Sequence, residues 1–318
     1  MNRVRTVAVV IPSWNSLALL PRCLESLRGQ GVALETLVVD NGSADGTVAY
    51  LEREGVAHLS LPENVGFARA MNLGAARVEA EAVLALNADT VVEPGAVAAL
   101  LEALEADPGL GGVQPRILQL EEGERDAARA RLYSAGQALL PDGRAVELGA
   151  GEEQAPRWLE RRRVFGVCGA ACLLRRELFD RLGGYDERYF AFYEDVDLNV
   201  RAQAAGWGFG YVPEARVWHL GNASWMAAAP RPGAWNARLV ARNRIATQVK
   251  FMPPRALPRI LAVECGALAR AARQGRFRAT LRGKLEGLRL LPAMLRERRR
   301  LAREGNLERP RRWLGGGR

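Results

Sequence analysis

Lysine and histidine are scarce in this 318-residue chain: of its 45 basic residues only Lys250 and Lys284 are lysines, and its two histidines are His58 and His219. Arginine used this uniformly reflects genome composition and carries little weight as a sign of nucleic-acid binding. The four cysteines, Cys23, Cys168, Cys172 and Cys265, include no C-x-x-C pair. A metal site built on Cys168 and Cys172 would lack further cysteine partners, so all four read as reduced core residues of a cytoplasmic protein. No segment reaches about 18 uncharged apolar residues, and the opening "MNRVRTVAVVIP" is too short for a signal peptide or a span. The expectation is a protein not integral to a membrane. G-x-G-x-x-G does not follow the first apolar run, and G-x-x-x-x-G-K-[ST] occurs nowhere, which excludes a dinucleotide dehydrogenase and a P-loop enzyme. No internal repeat is found.

What is present is ordinary in bulk, 48% apolar and 25% charged, and long enough for one large domain or a domain with an appendage. The charge is not evenly spread. From Arg231 onward there are 23 Lys and Arg against 5 Asp and Glu, a net +18, whereas the first 230 residues carry 22 against 31. An acidic body carries a basic tail.

"TVAVVIP" (Thr6–Pro12) is a continuous Val/Ile-rich run, the mark of a strand buried on both faces. Helical spacing follows and stops at Gly29 or Gly31. Leu34–Asp40, Ala57–Leu61 and Ala82–Asp89 read as further strands, and Thr47–Glu54, Gly66–Arg77 and Glu93–Ala106 as helices. Four strand–helix alternations predict a doubly wound, mostly parallel α/β sheet. Gln119–Arg163 is polar and aperiodic, an excursion with a hairpin turned at Pro141–Gly143. A buried strand is expected near Val164–Leu174, a helix ending at Gly206, and a strand in "FGYVPEARVWHLG". From about Asn236 the chain becomes Arg-rich and helical, so the expected division is 1–235 and 236–318, with 119–163 an irregular insertion.

Ligands bind outside the carboxyl ends of strands in such sheets. The four ends read "PSWN", "DNGSADG", "PENVGFARAMN" and "LNADT", each rich in Asp, Asn, Ser or Gly. Turns favour these residues anyway, but four such ends together point to a site. A diphosphate ligand without a phosphate-binding loop calls for a divalent cation held by carboxylates, and Asp89 at a strand end is the natural ligand. A second feature is "FAFYEDVDLNVRAQAAG", which places Glu194, Asp195 and Asp197 within four residues behind aromatics. Acids favour the first turn of a helix, and Asp197 can pair with Arg201 one turn on.

These motifs, "VVIPSWNSLALLPRCLESLRGQ", "ETLVVDNGSADGT", "ENVGFARAMNLG", "LNADT", "GGYDERYFAFYEDVDLNVRAQAAGW" and "YVPEARVWH", resemble in order those of family 2 glycosyltransferases, rhamnosyltransferase-like members above all. The resemblance covers roughly Val4 to Gly221. It implies a GT-A nucleotide-sugar-binding fold, a divalent metal (Mn²⁺ or Mg²⁺) and inversion at the anomeric carbon. It assigns Asp40 to the nucleotide base, Ser13 and Asn15 to the nucleoside loop, and Asn64, Gly66 and Arg69 to positions beside it. Asp89 matches the last carboxylate of a D-x-D motif in which Asn87 replaces the first. His219 matches a metal-binding histidine of some relatives, whereas His58 reads as structural or exposed. Asp195 becomes the catalytic base, with Glu194 orienting it or the acceptor. Tyr189, Phe190, Phe192 and Tyr193 suit a sugar face, although core packing accounts for at least half of them equally well.

The implied partners are a nucleotide-diphosphate sugar, with dTDP-rhamnose a guess by likeness, and a saccharide or lipid-linked saccharide acceptor in surface polysaccharide synthesis. Two other readings compete. A sugar-nucleotide nucleotidyltransferase would need a Gly/Arg-rich loop and a Lys after the first strand, which "PSWNS" lacks. A nucleic-acid module using the basic tail lacks any recognition motif, so no nucleic acid is expected. The tail instead has the amphipathic pattern of an interfacial helix, with Leu, Phe and Met on one stripe. The expectation is a cytoplasmic protein docked peripherally on an anionic inner membrane face.

Overall fold

A computed structural model of the chain describes residues 6–120, 130–221, 232–304 and 307–314. Its strands are β1 (Val7–Ser13), β2 (Leu34–Asp40), β3 (His58–Ser60), β4 (Ala82–Leu86), β5 (Thr90–Val92), β6 (Leu110–Gln119), β7 (Leu132–Ser134), β8 (Gln137–Leu139), β9 (Ala145–Glu147), β10 (Arg162–Val164), β11 (Ala171–Arg175) and β12 (Gly208–His219). The central sheet runs β10-β12-β6-β11-β4-β1-β2-β3, with β5 on β12 and β7 on β6. The β4-β1-β2-β3 half is parallel, and β12 runs parallel to β6. β11 is antiparallel to both its neighbours. β1 therefore lies between β2 and β4, and the chain leaves these strands in opposite directions. That switch point opens a crevice beyond Ser13 and Asn87.

Both faces of the sheet are covered, as the unbroken apolar runs require. Ala8 and Val10 of β1 enter one core layer, and Val7, Val9 and Ile11 enter the other. The covering helices are α1 (Leu20–Ser26), α2 (Thr47–Arg53), α3 (Phe67–Ala75), α4 (Ala96–Ala106), α5 (Arg176–Leu182) and α6 (Glu194–Ala204). Three expectations need correction. The run Val164–Leu174 is two strands, because Phe165–Ala170 leaves the sheet between β10 and β11. Its Gly166 admits the Asn199 side chain where a Cβ would clash, so regular pairing gives way to packing against α6. Within the insertion, β7 joins the main sheet, and β8 and β9 form the expected hairpin turned at Pro141–Gly143. Cys265 is exposed, unlike the other three cysteines.

The C-terminal helices are α7 (Pro232–Phe251), α8 (Leu257–Arg273), α9 (Phe277–Arg289), α10 (Leu291–Glu304) and α11 (Glu308–Arg311). A division at residue 235 falls inside α7, which packs along the start of α6. Its Lys250 is buried between Asp186, at 2.9 Å, and Asp197, at 2.6 Å. Burial alone would raise the Asp186 carboxyl. The Arg188 hydrogen bond and the Lys250 charge outweigh it and hold the group well below the carboxylate range. Removing one member of such a buried network costs about 3–5 kcal/mol. α9 crosses α7 closely, because Gly283 and Gly287 leave no side chain against the Arg238 and Arg242 carbonyls. Lys284 joins Arg244 on the Glu264 carboxylate beneath this crossing. Both lysines of the chain are thus buried ties of the C-terminal helices, each sharing its carboxylate with an arginine.

Candidate active site

On the nucleotide side, Ser13 and Asp40 are register partners at the last positions of β1 and β2. Asp40 Oδ2 accepts the Ser43 amide at 3.1 Å. Its Oδ1 and the Ser13 hydroxyl are buried without hydrogen-bond partners among the described residues. Buried polar atoms without partners cost free energy and mark places where a ligand belongs. Asn15, in the left-handed region at φ 50°, accepts the Ala44 amide through Oδ1, so the loops after β1 and β2 are stitched together. Asn41 was not singled out in the sequence. Its side chain accepts the Val65 amide at 2.8 Å and donates to Asn64 Oδ1 at 3.0 Å, fixing the loop after β3. Gly66 has φ +89°, and a Cβ there would lie 2.6 Å from Phe190. Arg69 is 55% exposed on α3, with Nε 3.8 Å from Glu187, and lines neither cleft described here.

Across the crevice, the ends of β4 and β12 converge. His219 Nε2 stands 3.1 Å from Asp89 Oδ1 and 3.4 Å from the Asn87 side-chain nitrogen. The Tyr133 ring packs edge-on to the imidazole, centroids 4.4 Å apart. Both Asp89 and His219 are buried, and His219 Nδ1 has no hydrogen-bond partner among the described residues. A separation of 3.1 Å is close to the span of two adjacent ligands, each about 2.1 Å from an octahedral cation. One carboxylate and one imidazole suit a Mn²⁺-type ion. The donor set fits. His58 only begins β3, its Nδ1 2.9 Å from the Val56 carbonyl oxygen.

The acidic run opens α6, and the helix sorts its three carboxylates. Asp197 turns into the core, where Arg201 and Lys250 each approach within 2.6 Å. Glu194 and Asp195 line a cleft together with Asn87, His219 and Tyr133. Phe190, Phe192 and Tyr193 before the helix all have positive φ, at 66°, 67° and 69°. Aromatic residues adopt that region only under constraint. The constraint comes from α7: the Asn243 side-chain nitrogen lies 2.7–2.8 Å from the carbonyls of Tyr189, Ala191 and Phe192. Tyr189 is buried and bonded to Thr247, and Phe190 and Phe192 stack edge-on against Trp235. Phe192 and Tyr193 line the cleft, so the aromatics divide between packing and site.

Asp195 Oδ2 accepts the Gly169 amide at 3.0 Å and Gln137 Nε2 at 2.8 Å, and Oδ1 accepts the Val196 amide at 2.7 Å. Gln137 Nε2 also donates to Glu147 at 2.9 Å, and Asn199 fixes the amide by donating to its oxygen at 2.8 Å. Burial raises the Asp195 carboxyl against these hydrogen bonds, and it raises Glu194 further, with the Asp195 charge adding to the effect. Glu147 is pushed up to about 7 by burial and then by the Asp195 charge. Glu147, Asp195 and the Cys168 thiol place ligand atoms within 4.8 Å of one another. Gln137 and Glu147 come from the hairpin inserted at 119–163, and Gly169 from the segment expected to be strand. The signal for the first two was a pair of polar residues placed symmetrically about the turn in "GQALLPDGRAVELG", which the hairpin register sets opposite each other.

The family model described as "Glycosyl transferase family 2" matches residues 8–183. The N-acetylglucosaminyl-diphospho-decaprenol L-rhamnosyltransferase of Mycobacterium tuberculosis is 33% identical over 58% of this chain and 66% of its own length. The pre-mycofactocin glycosyltransferase of the same organism is 35% identical over 68% of this chain and 43% of its own. This chain therefore spans less than two thirds of either relative. In fold, it is similar to GalNAc-T7 with UDP, GalNAc and Mn²⁺ at a TM-score of 0.60 and 18% identity, covering 79% of this chain and 49% of that one. It is also similar to the mannosyltransferase PcManGT of Pyrobaculum calidifontis, with GDP-Man and Mn²⁺, at a TM-score of 0.53 and 19% identity, covering 95% and 86%.

Proposed function

From the premise that this chain belongs to glycosyl transferase family 2 and is a glycosyltransferase, we propose that it transfers a sugar, by likeness rhamnose, from a nucleotide-diphosphate donor to a saccharide or lipid-linked saccharide acceptor, inverting the anomeric carbon in surface polysaccharide synthesis. The observation that carries this reading is Asp195, held by three donors in the cleft that Asn87 and His219 also line. Asp195 takes the proton of the acceptor hydroxyl as that oxygen bonds to the anomeric carbon and the bond from that carbon to the diphosphate breaks. A base raised by burial is better matched to that proton near neutral pH. Glu194 stands beside it on the acceptor side. Ser13 and Asp40 offer their unpaired oxygens to the nucleotide, and Asn15, Asn64 and Gly66 shape the loops around it. Bound between Asp89 and His219, Mn²⁺ or Mg²⁺ would neutralise charge on the leaving diphosphate.

The described residues contain no helix long and apolar enough to cross a membrane. The location we propose is the cytoplasmic face of an anionic membrane, with the basic C-terminal helices as the contact. A panel of UDP-, GDP- and dTDP-sugars, screened for thermal stabilisation with and without Mn²⁺, tests the reading. One nucleotide sugar should stabilise the protein in a metal-dependent way and be turned over. No stabilisation and no turnover by any donor would overturn it.

A further inference from the structure

Behind the catalytic cleft lies a second cavity, between α7, α8 and α9 and the β8–β9 turn, and its chemistry is unlike the first. Its polar lining includes Arg144, Arg244, Arg270 and Arg276, with Gln274 and Thr280, and no acid. Its remaining walls are Ala and Val side chains. Arg144 is held by Asp142 and Arg244 by Glu264. Arg270 and Arg276 form no ion pair among the described residues. Four guanidiniums, with only two acids held behind them, leave the cavity positive even before the nearby Lys284 is counted. Guanidinium forks match phosphate oxygens in pairs, and four of them around an empty space are the recognition chemistry of a diphosphate.

The two cavities share Val240 of α7. Tyr193, which lines the first cavity, lies close enough to Arg244, which lines the second, to feel its charge. An acceptor with its hydroxyl at Asp195 would thus extend its reducing end toward the arginines. Leu257 and Leu261 of α8 and Phe277 and Leu281 of α9, on the helices that line the second cavity, are exposed. A polar cleft, a cluster of guanidiniums and exposed apolar side chains on the same helices supply the chemistries that a sugar, a diphosphate and a lipid require.

We propose that this arginine cavity is the subsite for the diphosphate neck of a lipid-linked acceptor, separate from the site for the donor diphosphate. It rests on the glycosyltransferase reading above and names the acceptor class of that site. Arg270→Ala/Arg276→Ala is the informative variant, since both side chains are exposed and neither pairs with an acid among the described residues. The acceptors are a short-chain lipid-diphosphate sugar and the same sugar as an uncharged alkyl glycoside. The variant should raise KM for the first at least tenfold, leave the alkyl glycoside unchanged, and retain donor KM and donor hydrolysis. Equal KM values for the charged acceptor in wild type and variant, or a parallel loss of donor binding, would overturn the subsite. A metal-free arm separates this from failure of the activity itself: inorganic pyrophosphate in EDTA should bind the wild type at least tenfold more tightly than the variant. Equal binding in that arm counts against the subsite whether or not any donor is turned over.

Discussion

The sheet and the C-terminal helices dispose of their apolar residues in opposite ways. Every residue of β4 is buried, and β1 shows only a partly exposed Pro12. In α9 the buried positions are Thr280, Gly283, Lys284 and Gly287, whereas Phe277, Leu281, Leu285 and Leu288 point out. The sheet is closed by burying large side chains. α9 is closed by having almost none at its contact, so its large apolar residues are left for solvent or a partner. The sheet positions chemistry through rigidity. The C-terminal region is divided between a strut, α7, that holds the aromatic loop before α6, and an outer surface that nothing among the described residues covers.

The largest expected effect probes the sheet side. Asp195→Asn should lower kcat at least about 10²-fold, the low end for loss of a general base, with donor affinity unchanged. Turnover beside a donor titration decides it, and near-normal kcat would move the role to Glu194. Next, Asp89→Ala and His219→Ala should weaken metal-dependent donor binding, Asp89 more severely, by at least about tenfold. If a metal titration is unchanged in His219→Ala, the histidine is a packing residue against Tyr133.

Asn243→Ala breaks the comparison at its joint, because it alters only the C-terminal region and should damage the site. Three carbonyls of the strained aromatic loop lose their donor, at about 1–3 kcal/mol of stability. Both the melting temperature and kcat should fall. A stable variant with unchanged kcat would show that the sheet domain shapes its own loop.

Much of this was legible in the sequence, because the sheet obeys local rules. Buried runs named the parallel strands, a strand end named Asp89, and the family resemblance named Ser13 and Asp40. What escaped had no periodic signal. Gln137 and Glu147 reach Asp195 from a hairpin about 50 residues away in sequence, and Asn243 reaches the aromatic loop from across the chain. Of the three carboxylates in one helical turn, Asp197 was already offered to Arg201 by its spacing, and what stayed hidden was its second partner, Lys250, from the C-terminal region.

Glu147 gives a smaller effect with a definite sign. Its carboxyl is raised from 4.5 to about 7 in the folded chain. The folded state therefore holds this proton more tightly than the unfolded one, and stability falls as pH rises between those values. In Glu147→Gln that slope should flatten. Unfolding curves of wild type and variant from pH 4.5 to 8 measure it, and an unchanged slope would show that burial does not raise this carboxyl.

The smallest expected change in folding comes from the outer face of α9. Leu281→Ser/Leu285→Ser removes two exposed leucines whose helix is held by Gly283 and Gly287 on the opposite side. Surface changes of this kind alter stability by about 0.5 kcal/mol or less. The same change removes apolar area from the face proposed to meet the membrane, while the 23 basic residues from Arg231 onward remain. Anionic lipid attracts basic residues near its surface at about 1 kcal/mol each, so electrostatics alone should still bring the variant down. Wild type should sediment with anionic vesicles at low salt and retain part of that binding as salt rises, because its leucines are inserted. The double variant should bind at low salt and release completely at about 0.5 M, where screening reaches within a few ångströms of each charge. Identical salt curves would mean that the leucines stay out of the bilayer. An unchanged kcat on a soluble acceptor should accompany either result, because the site depends on α7 and not on the outer face of α9.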